Sequence, residues 1–258
     1  VWLNITRLSV TAAAKAMGNI GTASLGSAER IESAFNRIDE QPRHGGGVSA
    51  DFIAAAGEFQ ASATQAQAQV SLQSLSGELH AAADAMTFDA VGLNRRALSR
   101  HFTNESSKQQ PAAWYQSLGG PGTGNYAGSD FDLAGWMLGQ DVRLGQAGIG
   151  GFAFGESHAR GYRGAGMDRS RDRQTQAQAY LGVMQGPAYV FGQVGFGRYD
   201  RHTQRSLLLG ERYRGTATAY SGNFSSASVE AGLRLDSPVA AVTAYAGAEH
   251  TRVDRDGF

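Results

Sequence analysis

The stretch "SSASVEAGLRLDSPVAAVTAYAGAEHTR", Ser225–Arg252, alternates between apolar and polar residues on both sides of Asp236-Ser237-Pro238. The apolar positions are Ala227, Val229, Ala231, Leu233 and Leu235 in the first run and Ala240, Val242, Ala244, Ala246 and Ala248 in the second. A period of two is typical of a β-strand with one apolar face and one polar face. The stretch therefore predicts a hairpin of two strands. Its apolar face packs on a core in a soluble sheet and faces lipid in a transmembrane barrel.

The composition of the 258-residue chain limits the classes of function that it can have. The formal net charge is +0, so bulk charge does not favour binding to nucleic acid. The chain contains 35 glycines but only 5 prolines, which favours closely packed and bent strands over a disordered tail. It contains no cysteine, which is compatible with an oxidising compartment such as the periplasm.

The residues before about position 110 are rich in Ala, Gln, Ser and Leu and predict helices. Apolar residues at helical spacing place these helices at about residues 8–39, 49–66 and 68–102. Gly18 or Gly21 is expected to break the first helix, because glycine disfavours helix interiors. His44–Gly47 is expected to form a flexible linker. The third helix carries small and polar residues around most of its surface, which suits a polar environment.

From Ala112 onward the period changes to two, and about seven strands follow one another. Short turns are predicted at Gly145-Gln146, Gln185–Pro187 and Asp236–Pro238, and long polar segments at Gly120–Ser129, Arg160–Arg173 and Asp200–Gly215. Short turns on one side and long loops on the other are typical of an outer-membrane barrel. A soluble antiparallel sheet is the alternative, but predicted strands of about 10–14 residues exceed the usual 5–6 of soluble sheets.

Five motifs carry a family resemblance. They are "LSGELHAAADAM" (Leu75–Met86), "AWYQSLGG" (Ala113–Gly120), "GWMLGQDVRLG" (Gly135–Gly145), "RDRQTQAQAYLG" (Arg171–Gly182) and "GFGRYDR" (Gly195–Arg201). From about Leu72 onward the chain resembles the C-terminal translocator of a type V autotransporter. It is most similar to the translocators attached to subtilisin-like serine protease passengers in Gram-negative bacteria. Residues 1–66 resemble, less specifically, the helical stretch that joins passenger and translocator.

The resemblance implies a mainly β chain with an α-helical N-terminal part. An antiparallel transmembrane β-barrel of about twelve strands would enclose a pore-plugging helix. Residues 1–66 would form the passenger–translocator junction, residues 67–111 the linker and pore helix with its loop, and residues 112–258 the barrel. A closed single-chain barrel has an even number of strands, and about seven are counted here. The barrel is therefore expected to be truncated before it closes, although Phe258 resembles the terminal aromatic residue of outer-membrane proteins.

The function implied by the resemblance is anchorage in the outer membrane of a Gram-negative bacterium and secretion of an N-terminal passenger. The implied partners are outer-membrane lipid, the covalent passenger domain, periplasmic chaperones and the barrel assembly machinery. One alternative is a porin-like or adhesin-like outer-membrane barrel without a passenger, against which the helical region before Ala112 argues. Another is the C-terminal part of a secreted, subtilisin-like serine protease, with its catalytic residues upstream of Val1.

The sequence does not predict that this chain is itself an enzyme. The segment "GIGGFA" (Gly148–Ala153) loosely resembles a dinucleotide fingerprint, but the strand alternation continues through it instead of a helix. The six histidines do not show the spacing of metal ligands. No nucleophile elbow of the GxSxG type occurs. We expect no cofactor, no bound metal and no nucleic-acid partner.

The candidate functional residues lie on the predicted pore helix and on the polar faces of the strands. Strand parity and the resemblance select Arg95, Arg96, Arg100, Asp141, Glu230, Arg234 and Glu249. The three helix arginines either pair with the carboxylates of the barrel wall or are solvated near the pore exit. Trp136 is the candidate for the aromatic girdle at the membrane interface. Arg169, Arg171 and Arg173 lie in a predicted exterior loop, where they either contact lipopolysaccharide phosphates or are solvated.

Overall fold

The computed structural model describes residues 9–44, 47–62, 64–105, 112–126, 129–163, 168–236 and 241–256. Its helices are α1 (Val10–Ala16), α2 (Thr22–His44), α3 (Ala50–Gln60), α4 (Gln65–Ser74) and α5 (Glu78–Glu105). Its strands are β1 (Ala113–Tyr126), β2 (Ser129–Leu144), β3 (Gly148–Arg163), β4 (Asp168–Gln185), β5 (Ala188–Leu209), β6 (Arg212–Asp236) and β7 (Ala241–Arg255). Gly45-Gly46 of the predicted linker, Ser237-Pro238 of the predicted turn and Phe258 lie outside the described residues.

The helical part contains more breaks than the sequence predicted. The first predicted helix is interrupted as expected, and Gly18 adopts a φ of 71° that favours glycine. The prediction of one helix over residues 68–102 was wrong, because α4 ends before Ser76-Gly77 and α5 begins at Glu78. The Ser76 hydroxyl donates to the Glu78 carboxylate at 3.0 Å, a local contact that competes with continuous helix. None of the described helices has the length and apolar character needed to cross a membrane.

The seven described strands form one antiparallel sheet in chain order, β1 to β7, which confirms the predicted strand count and order. Strands β2 and β3 pair without interruption from Asp130 opposite Tyr162 to Leu144 opposite Gly148. The hairpin quoted first is β6–β7, in which Val229 lies opposite Ala248. The sheet is open over the described residues, with β1 and β7 as its first and last strands.

The predicted long loops were wrong. Strand β3 continues to Arg163 and β4 starts at Asp168, whereas β5 continues to Leu209 and β6 starts at Arg212. Most described residues of the segments assigned to loops are therefore extensions of paired strands, and β6 reaches 25 residues. The error has a physical reason: beyond the apolar part of each strand both faces are polar, so the alternation disappears while the backbone continues to pair.

The chain divides into two compact units, and each has its own packing. The first unit comprises residues 1–80 together with the tip of the β5–β6 hairpin, residues 204–217. Within it, Leu209 of the tip belongs to a buried cluster with Phe35, Phe59 and Leu72. Arg214 donates two hydrogen bonds to the Glu58 carboxylate of α3, at 2.7 and 2.8 Å. The guanidinium of Arg205 donates to the backbone carbonyls of Ser74 and Ser76 at the end of α4, at 2.5 and 2.6 Å.

The second unit comprises residues 81–203 and 218–258 and contains α5 with the seven-stranded sheet. Buried side chains of α5 share clusters with Leu118 of β1, Met137 of β2, Ala153 of β3, Tyr180 of β4, Phe191 of β5 and Phe224 of β6. An ion pair between Arg95 and Glu249 connects α5 to β7 as well. Because one helix contacts every strand, the sheet curves around α5. The arrangement is that of an incomplete antiparallel β-barrel that encloses a helix.

The face of the sheet that points away from α5 carries a band of apolar side chains, here called the apolar belt. Apart from Gln140, it consists of the outward residues within 134–144 of β2, 152–154 of β3, 177–183 of β4, 190–196 of β5, 227–235 of β6 and 242–248 of β7. Val229 is 52% exposed on this face, whereas the next residue, Glu230, is 8% exposed on the face of α5. The belt in β6 is about 27 Å along the strand, or about 19 Å high at a tilt near 45°, which is comparable to the apolar band of about 25 Å in outer-membrane barrels.

Candidate functional site

The polar groups around α5 form three sets along the helix. Asp84, in its first turns, lies beside Arg201 and Arg255, which are in the parts of β5 and β7 beyond the apolar belt. Phe102, in its last turn, packs near Gly182, close to the tight turn at Gly186. The helix therefore runs from the end of the sheet with the long strand extensions to the end with the short turns. Residues 81–105 span about 37 Å, enough to pass through the whole height of the belt.

The first set is a buried arginine network at the N-terminal end of α5. The Arg201 side chain is 0% exposed, and its guanidinium donates to Asp172 at 2.9 Å and to Asp84 at 2.7 Å. It also donates to the hydroxyls of Thr87 at 2.5 Å and Tyr220 at 3.1 Å. A buried charge is costly unless it is paired and hydrogen-bonded. This geometry satisfies Arg201 only when α5, β4, β5 and β6 are all in place.

Aromatic rings and a second arginine complete the arginine network. The Arg201 guanidinium lies 5.1 Å from the ring centre of Tyr199 and 5.5 Å from that of Tyr220. Arg255 of β7 donates to both oxygens of Asp84, at 2.7 and 3.0 Å, and lies 4.8 Å from the Tyr220 ring. The Asp84 carboxylate of α5 thus joins two arginines from different strands. The start of the helix is thereby fixed against β4, β5, β6 and β7.

The second set lies at the middle of α5. The Arg95 guanidinium is 2.7 Å from Glu249 of β7 and 3.9 Å from Glu230 of β6. Glu230 also accepts hydrogen bonds from Tyr189 at 2.6 Å and from Ser99 of the helix at 3.0 Å. The side chains of Arg95 and Glu249 are 26% and 55% exposed, so water screens this ion pair much more than the arginine network.

The third set surrounds Asp141 at the C-terminal end of α5. Its carboxylate contacts His101 Nε2 at 3.0 Å, and it accepts hydrogen bonds from Trp114 Nε1 at 3.2 Å and from the Tyr180 hydroxyl. Phe102 of the helix stacks on Phe191, with ring centres 4.9 Å apart. One acidic group in an aromatic cluster therefore holds this end.

Close approach and a capping arginine also fix the C-terminal end. Gly182 allows the ring of Phe102 to approach the sheet, since a Cβ at this position would lie 2.3 Å from it. Arg234 of β6 donates to the Thr103 carbonyl at 2.6 Å, a favourable position for a cation at a helix C-terminus. The last turn of α5 is thus held by contacts to β4 and β6.

The structure brings some of the sequence-selected residues together and separates others. Arg95 lies with Glu230 and Glu249, but Asp141 contacts His101 and the two aromatic side chains, not one of the helix arginines. Arg100 Nε donates to the backbone carbonyl of Arg96 at 3.2 Å, one turn back in the same helix. Of the two alternatives, pairing with a wall carboxylate therefore holds for Arg95, whereas Asp141, one of the candidate carboxylates, pairs with His101 instead of a helix arginine. The helix turn that faces Asp141 presents His101, and the neighbouring arginine follows the helix backbone instead.

Trp136 lies on the outward face of β2, with its ring centre 5.9 Å from that of Phe154. It pairs in register with Glu156, the first polar outward residue of β3 after the apolar belt. This is the height at which an interfacial aromatic residue would lie. Its role in a girdle remains a prediction.

The arginine network was missed at the level of sequence. Asp172 and Arg201 lie within the motifs "RDRQTQAQAYLG" and "GFGRYDR", but the segments around them were assigned to exterior loops. The alternation of side chains along each strand nevertheless indicates which face these two residues are on. Asp172 has the same parity as the inward Gln174 and Gln176 of β4, and Arg201 the same parity as the inward Tyr199 of β5. Extending the strands by parity would have placed both charges inside the sheet.

Comparisons with known proteins agree with this architecture. A search of curated proteins finds no match to the chain. The family model described as the autotransporter β-domain matches residues 113–258, which are β1 to β7 and the residues that follow them. The β-domains of this family are outer-membrane β-barrels of Gram-negative bacteria and serve as translocators. The match covers more than half of the sequence and coincides with the sheet that curves around α5, so the chain belongs to the autotransporter β-domain family.

Proposed function

We propose that the chain anchors a passenger domain in the outer membrane and secretes it to the cell surface. The observation that carries the proposal is the direction of α5 inside the sheet. The helix begins at the end with the long strand extensions and ends at the end with the short turns. Outer-membrane barrels place short turns in the periplasm and longer segments outside. A passenger joined to the N-terminal end of α5 would therefore lie on the exterior side.

The inner face of the sheet has the polarity that a peptide-conducting pore needs. The inward residues of β4 include Asp172, Gln174, Gln176 and Gln178, all of which are buried. Amide and carboxylate groups can exchange hydrogen bonds with a passing backbone, which an apolar wall cannot do. The outward face of the same strand is apolar from Ala177 to Val183. Burial of the belt in lipid supplies the free energy that anchors the wall while the interior stays polar.

Three finer features belong to the same proposal. The exposed first and last strands of the open sheet support a complete barrel of more strands, about twelve by family resemblance, since lipid-exposed sheet edges do not persist in a bilayer. The resemblance of the five motifs supports a subtilisin-like passenger. The belt and long strands support assembly by periplasmic chaperones and the barrel assembly machinery. The junction, pore-helix and barrel roles of residues 1–66, 67–111 and 112–258 are proposed on the same basis.

Protease treatment of intact cells that express the full-length protein tests the proposal. Trypsin should cleave at exposed Lys15 in α1. Arg95 and Arg96 within α5 should stay protected, because the proposed complete barrel encloses the helix. An epitope placed before residue 9 should be detected on intact cells, and a periplasmic marker protein should remain uncut as the control. An N-terminal part that becomes accessible only after the outer membrane is opened would contradict the proposed direction of secretion.

A further inference from the structure

Above the apolar belt, the outward faces of β3 and β4 carry a concentration of basic side chains. Three successive pairs on this outward face, at every second register position, are His158 with Arg173, Arg160 with Arg171, and Tyr162 with Arg169. These residues follow the last apolar outward residues, Phe154 of β3 and Ala177 of β4, on the side of the long strand extensions. The sequence alone assigned this segment to a loop. As paired strand, it holds the arginines in fixed positions on the lipid-facing side of the wall.

Arg160 and Arg171 differ from the neighbouring pair, His158 and Arg173, which has a carboxylate partner in Glu156. Glu156 accepts two hydrogen bonds from Arg173, at 2.9 and 3.1 Å, and contacts His158 at 2.7 Å. Among the described residues, Arg160 and Arg171 make neither an ion pair nor a side-chain hydrogen bond, although Asp132 of β2 lies opposite Arg160 in register. Like charges directly opposite each other destabilise a strand pair. An anion that bridges the two guanidinium groups would remove this repulsion.

The height of the pair above the belt indicates which anion fits. Arg171 is six residues beyond Ala177 along β4, about 20 Å along the strand and about 15 Å in height at the tilt of such barrels. The polar headgroup layer of an ordinary bilayer adds only about 5–7 Å on each side of the hydrocarbon. The long arginine side chains point outward at a level above glycerophospholipid phosphates. A lipid whose phosphates are carried on sugars above the acyl chains reaches this level.

We propose that Arg160 and Arg171 form a binding site for a phosphate group of a phosphorylated glycolipid in the outer leaflet. Each planar guanidinium can donate two parallel hydrogen bonds to phosphate oxygens, the geometry that makes arginine a preferred phosphate ligand. The acyl chains of the same lipid would lie against the apolar belt below. Tyr162, 38% exposed beside Arg169, adds an amphipathic ring at the level of the sugars. The inference is independent of passenger secretion, because it requires only that the β-domain lies in the outer membrane.

The test measures lipid binding to the purified full-length chain in neutral detergent. The probes are a doubly phosphorylated glycolipid, the same glycolipid without phosphates, an anionic glycerophospholipid and inorganic phosphate. The wild type should bind the phosphorylated glycolipid at least tenfold more tightly than the other three. Arg160→Gln combined with Arg171→Gln should weaken this binding by roughly tenfold or more, as expected for loss of charge-assisted hydrogen bonds. Raising the salt concentration should reduce the difference between wild type and variant.

Arg198→Gln provides the matched control. Arg198 is also on the outward face of β5 above the belt, but it lies 3.7 Å from Asp200 and donates to Ser221 at 3.0 Å. Its substitution should leave glycolipid binding within twofold. An unchanged heat-induced shift on a detergent gel shows that each variant is folded. If the double variant does not fold, the single Arg171→Gln variant replaces it in the binding measurement. Binding that is insensitive to Arg160 and Arg171, or equal for the dephosphorylated glycolipid, glycerophospholipid or inorganic phosphate, would overturn the proposal.

Discussion

The N-terminal end of α5 meets the sheet through charged groups, whereas the C-terminal end meets it through aromatic rings around one carboxylate. At the first end, fully buried Arg201 joins Asp84 of the helix to Asp172 of β4. At the second, Phe102 fills space that Gly182 leaves open. A buried ion network tolerates little displacement, because one lost partner leaves an unpaired charge. Apolar packing loses free energy more gradually. We infer that the arginine network fixes the position of α5 along the sheet, whereas the aromatic cluster around Asp141 stabilises the helix by burying apolar surface.

The largest effect is expected from Arg201→Met. It leaves Asp172 buried without its cation and should lower the free energy of unfolding by about 3–5 kcal/mol. The measurement is the temperature at which the folded band on a detergent gel converts to the unfolded band. Adding Asp172→Asn should restore part of the loss, since no uncompensated charge then remains. Arg198→Met, at an exposed outward position, is the control, and an equal effect of both substitutions would remove the special role of the arginine network.

Gly182→Ala tests the other end of the helix. Its Cβ would lie 2.3 Å from the Phe102 ring, so the ring or the helix must shift, at a cost of about 1–3 kcal/mol. Gly192→Ala on β5 is the matched control, because the nearest atom to its Cβ is a backbone oxygen at 3.7 Å. Combining Gly182→Ala with Phe102→Leu should cost less than the sum of the two single substitutions. Strict additivity would show that Phe102 does not pack against Gly182.

A smaller effect is expected at the middle of α5. The ion pair of Arg95 and Glu249 is partly exposed, and a double-mutant cycle with Arg95→Gln and Glu249→Gln should give a coupling of about 0–1 kcal/mol. The coupling should decrease further in high salt, because water and ions reach both groups. A coupling near that of the arginine network would mean that this ion pair is shielded from water when the whole protein is folded.

The smallest effect is expected from the partly exposed ion pair of Arg214 and Glu58, at the tip of the β5–β6 hairpin. Hydrogen bonding to Arg214 holds the pKa of the Glu58 carboxyl below its usual value near 4.5. Because the folded-state pKa is lowered, the stabilisation is present above about pH 4.5 and is lost as the pH falls through the lowered pKa. The protection factors of the amides in residues 204–217, each normalised to the intrinsic exchange rate at that pH, should therefore decrease slightly in acid. Glu58→Gln should abolish this pH dependence, and its persistence in that variant would assign it to another group.

The sequence predicted the sheet better than it predicted the contacts inside it. The alternation of residues 225–252 correctly separated outward Val229 from inward Glu230, because the period of two reports directly on which face is apolar. The strand extensions that end at Arg163 and Leu209 were not recognised by apolar–polar alternation, since most residues on both of their faces are polar. The partners of Asp141 depend on which turn of α5 faces β2. The alignment of α5 with β2 is set by the packing of Phe102 and Arg201 against residues far away in the sequence. A local sequence pattern does not contain this information.

The central claim is that α5 lies on the face of the sheet that carries Glu230. The chain contains no cysteine, so engineered cysteine pairs report on single contacts. Ser99 Oγ lies 3.0 Å from Glu230 Oε1, while Val229 points to the opposite face. In intact cells, a short thiol cross-linker should join Ser99→Cys to Glu230→Cys and should not join Ser99→Cys to Val229→Cys. Cross-linking through position 229, or failure at position 230 in a folded protein, would contradict the placement of the helix inside the sheet.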